Sequence, residues 1–267
     1  MASRPSRDPR PGICGVHETP KLTAFAAPHG GAPWPSVGRA ATAVIRLTLF
    51  DLDHTLLDGD SDVLWCDFLI ERGVLDRATF GARNAQMNRD YRAGVVSTAA
   101  FCEFYVSTLA ARSRLEWEPL RRKFLAEVVA PRISQAAHAL VRKHADAGDV
   151  VVLTTATNRF ITELTAAHLA IDHLIATECE VDDAGNFSGR TSGTLNMRDG
   201  KVERLHAWLR SRDIDWTDCD ATCYSDSIND LPLLSAVQHP VVVHPDAKLA
   251  AQADQRGWPS MRLHGAR

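Results

Sequence analysis

Two patterns of apolar positions alternate along most of the chain. Residues 44–50 form an apolar run interrupted by Arg46 and Thr48. Its β-branched and aromatic content predicts a buried strand. From about 60 to 147 the spacing is helical, with Val63 and Leu64, Phe68 and Leu69, and Val74 and Leu75 recurring on one face. Further helical stretches follow at 99–109, 115–129 and 134–145, punctuated by Gly73, Gly94 and Pro131. After Gly148 short apolar runs return, at 150–153, 173–179, 222–224 and 241–243. Between them lie helical segments at 159–169, 200–210, about 231–237 and 246–255, and a turn-rich stretch at 182–186 that predicts a hairpin into 187–189. Strands alternating with helices imply an α/β fold, a parallel sheet with helices on both faces. The expected organisation is a core of 44–59 and 148–267 with an α-helical insert at 60–147 after the first strand.

Residues 1–43 follow neither pattern. They are rich in Pro, Gly, Ala and Arg, as in Gly30-Gly31-Ala32-Pro33. Such composition buries too little surface to offset its ordering entropy, so a disordered extension is expected. It lacks the apolar core of a signal peptide. Its Arg-rich, acid-poor character is compatible with a transit peptide, but a translation start placed upstream of the globular protein explains it better. The remaining composition narrows the class. The 267 residues carry a net charge of −3, which argues against a nucleic-acid protein. The basic stretch Arg121-Arg122-Lys123 reads as the solvated face of a helix. No apolar run approaches the roughly 20 residues of a membrane span. Six cysteines are scattered without a C-x-x-C pair, the usage of a reducing cytoplasm. Cys219 and Cys223 lack the partner spacing of a zinc site.

The candidate chemistry gathers at strand ends and helix starts, where parallel sheets bind ligands. Asp51 and Asp53 follow the first strand, Thr155 ends the second, Lys201 opens a helix after a glycine, and Asp226 and Asp230 follow a later strand. Crowded carboxylates call for a cation between them. One carboxylate can act as a nucleophile and another as general acid and base. A hydroxyl and helix N-terminal amides can hold phosphoryl oxygens, and a lysine can neutralise their charge. Oxygen ligands of this kind suit magnesium. Taken singly the signals are weak: Thr155 also reads as a helix cap, and Lys201 as a surface lysine.

Together these residues resemble the signature of the haloacid dehalogenase-like hydrolase superfamily. Asp51-Leu52-Asp53-His54-Thr55 matches its D-x-D-x-T element, Thr155 its strand-end hydroxyl with Thr154 as the adjacent alternative, Lys201 its lysine, and 225–230 its acidic loop with Ser225 in place of the usual glycine. The resemblance implies a Rossmann-like core and, for the insert, the small helical cap of the phosphoserine-phosphatase-like branch. It implies that Asp51 is the nucleophile and Asp53 the general acid and base. Asp51, Asp53 through its carbonyl, and Asp226 would hold Mg2+, with Asp230 supporting the metal or orienting Lys201. Substrate would be bound by Asp60, Thr155, Asn158 and Lys201. The stretch 153–160 looks closer to a histidinol-phosphatase-like subset. Asp60 stands where true phosphoserine phosphatases carry a glutamate that pairs with a substrate ammonium. The expected activity is hydrolysis of a small phosphorylated metabolite, an amino-alcohol or amino-acid phosphate, by a cytoplasmic monomer or homodimer with no nucleic-acid or membrane partner. Phosphoryl transfer on the same scaffold and a non-catalytic binding module are the alternatives. His54 is expected to point away from the site, because strand residues alternate faces. His138, His144, His168 and His206 are expected to be surface or packing residues, and Trp65 and Phe68 core.

Overall fold

The computed structural model describes residues 44–265, so the extension expected at 1–43 lies outside the described residues. Seven strands form one sheet in the order β4-β3-β2-β1-β5-β6-β7. They are β1 (Ile45–Phe50), β2 (Val150–Asn158), β3 (His173–Val181), β4 (Phe187–Ser192), β5 (Cys219–Ser225), β6 (His239–Val243) and β7 (Ser260–Met261). All neighbours pair in parallel except β3 and β4, the expected hairpin. β1 sits at the centre because it is buried on both faces, with Leu47, Leu49 and Phe50 essentially inaccessible. Two apolar clusters flank the sheet. One contains Phe50, Leu153 and Tyr224, the other Leu49, Val152 and Cys223. Successive strand residues point to opposite faces, so a continuous apolar run feeds both.

Nine α-helices complete the described chain: α1 (Ser61–Glu71), α2 (Phe80–Arg92), α3 (Thr98–Ser107), α4 (Arg114–Phe124), α5 (Gln135–Asp146), α6 (Arg159–His168), α7 (Asp199–Arg210), α8 (Leu231–Ala236) and α9 (Ala247–Arg256). Their starts are chemically marked. Asp60, Ser97, Ser113, Ser134, Asn158 and Asp246 each accept a first-turn amide, satisfying donors that the helix leaves open. Among the described residues no helix is long and apolar enough to cross a membrane.

The segment 60–147 contains helices of two kinds. α1, α2 and α3 surround a small cluster of Cys66, Phe101, Phe104 and Tyr105, and Trp65 and Phe68 pack with Trp117 and Phe124 as core aromatics. α5 instead lies on the sheet. Its His144 contacts the Phe50 and Tyr224 rings and bonds to Asp149 at 2.6 Å and to the Tyr224 hydroxyl at 2.8 Å. His144 is thus a packing residue whose polar atoms are paired inside the fold.

The second strand runs further than its apolar run. β2 continues through Asn158, so Thr155 lies within the strand rather than at its end, and the pairing with β3 shifts register between Thr155 and Asn158. The shift lets the residues after Thr155 turn toward the site.

Candidate active site

The site forms where β1, β2 and β5 end at the same edge of the sheet. Asp51 is the first residue beyond β1, and its amide donates to the Tyr224 carbonyl at 2.9 Å, which ties the β1 exit to β5. The chain then curls tightly. The amides of Thr55, Leu56 and Leu57 all point at the Leu52 carbonyl, at 3.2, 3.0 and 2.9 Å. His54 adopts a left-handed conformation, φ 56°, within this curl. Strand alternation therefore stops before His54. It lines the wall of the cavity instead of pointing away, contrary to the sequence expectation.

Lys201 is the hub. It is 2 % exposed, and its Nζ donates to Asp51 Oδ1 at 2.7 Å and Asp230 Oδ2 at 2.6 Å. Ser225 Oγ donates to the same Asp230 oxygen at 2.7 Å. One Asp230 oxygen thus takes both the Lys201 ammonium and the Ser225 hydroxyl. Gly200 makes this placement feasible, because a Cβ there would fall 2.1 Å from the Leu195 carbonyl oxygen and force the first turn of α7 outward. The backbone of Arg198, just before α7, takes φ 54° and ψ −129°, a region that normally needs glycine.

Asp53 is built differently. Its Oδ1 accepts the Ser61 amide at 2.7 Å and its Oδ2 the Thr157 hydroxyl at 2.9 Å. The carboxylate therefore caps the N-terminal end of α1, where the helix dipole favours negative charge. Thr157 also accepts from Ser61 Oγ at 3.0 Å and lies 3.3 Å from Asp62 Oδ2. A hydroxyl has one proton, and it goes to the nearer Asp53. The Asp62 contact is then made by a protonated Asp62, whose carboxyl is pushed well up by burial and by the Asp60 and Asp53 charges.

Burial also raises the other acids. Asp51 is pushed to about 7, with Lys201 pulling against burial and Asp230 and Asp53 adding to it. Asp53 is raised to about 6, by burial and then by Asp60, against the Ser61 and Thr157 hydrogen bonds. Asp226 goes well above the usual carboxylate range through burial and its Asp51 and Asp230 neighbours. Asp51, Asp226 and Asp230 face one lysine, an excess of negative charge that a cation would relieve. Among the described residues no three His, Cys, Asp or Glu side chains form a complete cage for an ion. Magnesium does not require one: it keeps several waters and binds through one or two carboxylates plus substrate oxygens. The all-oxygen donors here, Asp51, Asp226 and the Asp53 carbonyl, fit it.

A cavity of about 670 Å³ opens over these groups, walled by Asp51, Asp53 and Lys201 below and by Tyr91, Phe101 and Cys102 from the helical insert. Asp60 and Asp62 line its side. Asp60 also caps α1 through the Val63 amide at 3.0 Å. Two expected substrate contacts are placed elsewhere. Thr155 is fully buried and its hydroxyl accepts the Thr157 amide at 3.2 Å. The adjacent Thr154 hydroxyl accepts from Asn196 at 3.0 Å. Asn158, 2 % exposed, caps α6 through the Ile161 amide and donates to Asp62. The register shift in β2 is the reason, since it presents Ala156 and Thr157 to the cavity instead. Sequence reasoning missed Thr157, Asp62 and Tyr91. Only Thr157 carried a local signal, as a third hydroxyl in the run after an apolar strand.

Comparison with known proteins identifies the family to which this fold belongs. A haloacid dehalogenase-like hydrolase family model matches residues 48–235. A histidinol-phosphatase of Neisseria meningitidis is 39% identical over 219 residues, covering 82% of this chain and 99% of that protein. The phosphoserine phosphatase SerB1 of Mycobacterium tuberculosis is 30% identical over 264 residues, 95% of this chain and 81% of that protein. A Bordetella pertussis protein of unknown function superposes with a TM-score of 0.80 at 40% identity, covering 83% of this chain and all of the other. The chain belongs to the haloacid dehalogenase-like hydrolase family, on its phosphoserine-phosphatase-like branch.

Proposed function

We propose that this phosphatase hydrolyses a small amino-alcohol or amino-acid phosphate, such as histidinol phosphate or phosphoserine, with Mg2+ and through an aspartyl-phosphate on Asp51. The observation that carries the reading is the pairing of two unlike carboxylates. Asp51 is held by Lys201 on one oxygen and lies 3.2 Å from the Thr55 hydroxyl on the other. Asp53 instead caps a helix through the Ser61 amide and accepts the Thr157 hydroxyl. Environments that separate two acids in this way assign them different roles.

In this reading a carboxylate oxygen of Asp51 attacks phosphorus while Lys201 balances the charge of the phosphoryl oxygens. Asp53, protonated, gives its proton to the departing alkoxide. Burial raises Asp53 and so favours the acid form used in this step, while the Lys201 ammonium on Asp51, and a cation beside it, would hold Asp51 as the anion that attacks. Asp53 then takes a proton from water as that water attacks the phosphoryl-aspartate, releasing phosphate and restoring Asp51. Asp51, Asp226 and the Asp53 carbonyl would hold magnesium, which supplies Lewis-acid stabilisation of the phosphoryl oxygens. Thr155 acts indirectly, fixing the turn that carries Thr157. Of the insert expected at 60–147, the part before α5 would serve as the cap that excludes water. Asp60, at the cavity's side, favours a leaving group that carries a cation, which supports the amine-bearing class. The free thiols Cys66, Cys102 and Cys223 are buried rather than paired, in keeping with a cytoplasmic setting.

The test is phosphate release from histidinol phosphate, phosphoserine and 4-nitrophenyl phosphate, with magnesium and with chelator. Magnesium-dependent turnover of an amine-bearing ester above the aryl ester is expected. Asp51→Asn should lower turnover by at least about 10³-fold, as loss of a covalent nucleophile does, with an unchanged melting profile. Substantial activity in that variant would remove Asp51 from the role.

A further inference from the structure

The end of the described chain reaches back to the catalytic loop. After β7, Leu263 is buried in the sheet cluster and its carbonyl accepts the Ser134 hydroxyl at 2.6 Å. His244, at the exit of β6, turns its Nε2 to this segment and accepts the amides of Leu263 at 2.8 Å and His264 at 3.0 Å. An Nε2 that accepts two amides carries no proton. The His244 and His264 rings then stack, with centroids 5.0 Å apart and planes at 14°. So held, His264 directs its Nε2 at the Thr55 carbonyl oxygen, 2.9 Å away. A carbonyl only accepts, so this Nε2 carries the proton.

The peptide that His264 grips is the one that matters for the site. Its carbonyl belongs to Thr55 and its amide to Leu56, which donates to Leu52 at 3.0 Å. The peptide plane is therefore held from both sides, and its only soft motions are rotations about ψ of Thr55 and φ of Leu56. Thr55 itself is fully buried, with Oγ1 3.2 Å from Asp51 Oδ2 and 3.5 Å from Asp226 Oδ1. Its single proton goes to the nearer Asp51 at the end of β1, and its oxygen also lies against Asp226 at the end of β5. A rotation of this peptide would move that hydroxyl and release both.

We propose that His264 is a positioning residue: through the Thr55 carbonyl it sets the Thr55 hydroxyl that orients Asp51 and Asp226, so that the C-terminal segment is part of the catalytic machinery. Its kinetic readout rests on the phosphatase reading, but its structural readout does not. Two variants of the full chain test it. His264→Gln keeps an N–H donor at about the same reach, and His264→Ala removes it. For 4-nitrophenyl phosphate, His264→Ala should lower kcat by about tenfold, the scale of one well-formed hydrogen bond, with KM within about twofold. Amide hydrogen exchange in the peptide covering 51–59 should quicken in His264→Ala alone, and His264→Gln should restore both measures. The proposal is overturned if the alanine variant matches the unmodified protein in exchange and kcat, or if the glutamine variant is as damaged as alanine. It is equally overturned if exchange quickens across the whole chain as the melting temperature falls, since that marks general destabilisation. If the unmodified protein does not hydrolyse the aryl ester, the phosphatase reading is at fault and the exchange comparison decides the role of His264.

Discussion

Asp51 and Asp53 are two residues apart, yet they differ in every partner. Asp51 faces a buried ammonium, whereas Asp53 faces a helix amide and a hydroxyl. That difference carries a prediction about leaving groups. An aryl phosphate expels a weakly basic phenolate that needs little protonation, while an alkyl phosphate expels an alkoxide that needs a proton in the transition state. Asp53→Asn should therefore cost alkyl esters about 10²–10⁴-fold in kcat, the range of general acid catalysis, and cost the formation of the phosphoryl-aspartate from 4-nitrophenyl phosphate distinctly less. The comparison is made by burst kinetics on both esters in the same variant. Equal losses would mean that Asp53 serves the site electrostatically and does not transfer the proton.

At the scale of elements, the cap and the core meet over the cavity through Tyr91 of α2. Its ring stacks on Phe101 of α3 at 4.0 Å between centroids. Its hydroxyl donates to Met197 Sδ and accepts from Asn229, both at 3.1 Å. Met197 precedes α7, which carries Lys201, and Asn229 precedes Asp230, so one hydroxyl touches both loops that deliver the Lys201–Asp230 pair. Tyr91→Phe retains the stack and removes those two bonds, each worth about 1 kcal/mol net. The expected result is a severalfold rise in KM for the preferred ester, with kcat at saturation changed less, measured by steady-state kinetics. An unchanged KM would mean that the cap closes without this contact. The elements differ in how far the chain announces them. β6 ends in Val241-Val242-Val243, and β1 and β5, though broken by Arg46, Thr48, Asp220 and Thr222, close on Leu49-Phe50 and Cys223-Tyr224 just before the acids, so Asp51 and Asp226 could be placed at strand ends from sequence. β2 is apolar only to Leu153 and then runs on through three threonines to Asn158, which is why Thr155 was expected one structural step too late. α5 reads as one more helix of the insert, because nothing local records that His144 packs on Phe50. Asp62, Tyr91 and His264 reach the site only through the tertiary fold, across 95 residues for Asp62 and Thr157 and 209 for His264 and Thr55.

Across the molecule, the buried acids make stability, pH and metal a single question. Asp51 and Asp53 titrate near 7 and 6 in the fold against an ordinary value of 3.8, and Asp226 is raised as well. A raised carboxylate holds its proton more tightly when folded than when unfolded. Its effect is absent below about pH 4, where both states are protonated. Stability is then lost as pH rises through 4 to 7, because the unfolded chain ionises first. The metal-free protein therefore carries its full penalty above pH 7. Magnesium held as proposed by the ionised carboxylates would displace their protons, so its stabilising effect should grow over the same window. The half-buried His173 works in the opposite direction: partial burial lowers it, and its contribution is lost as pH falls. Subtracting melts with and without magnesium at each pH cancels that background. The shift in melting temperature at saturating magnesium should be about 5–10 °C at pH 8 and should shrink steadily toward pH 5. Sodium at matched ionic strength separates specific binding from screening. A magnesium shift of equal size at pH 5 and pH 8 would mean that the ion binds away from Asp51 and Asp226, and that the acids at the sheet edge are kept protonated for some other purpose.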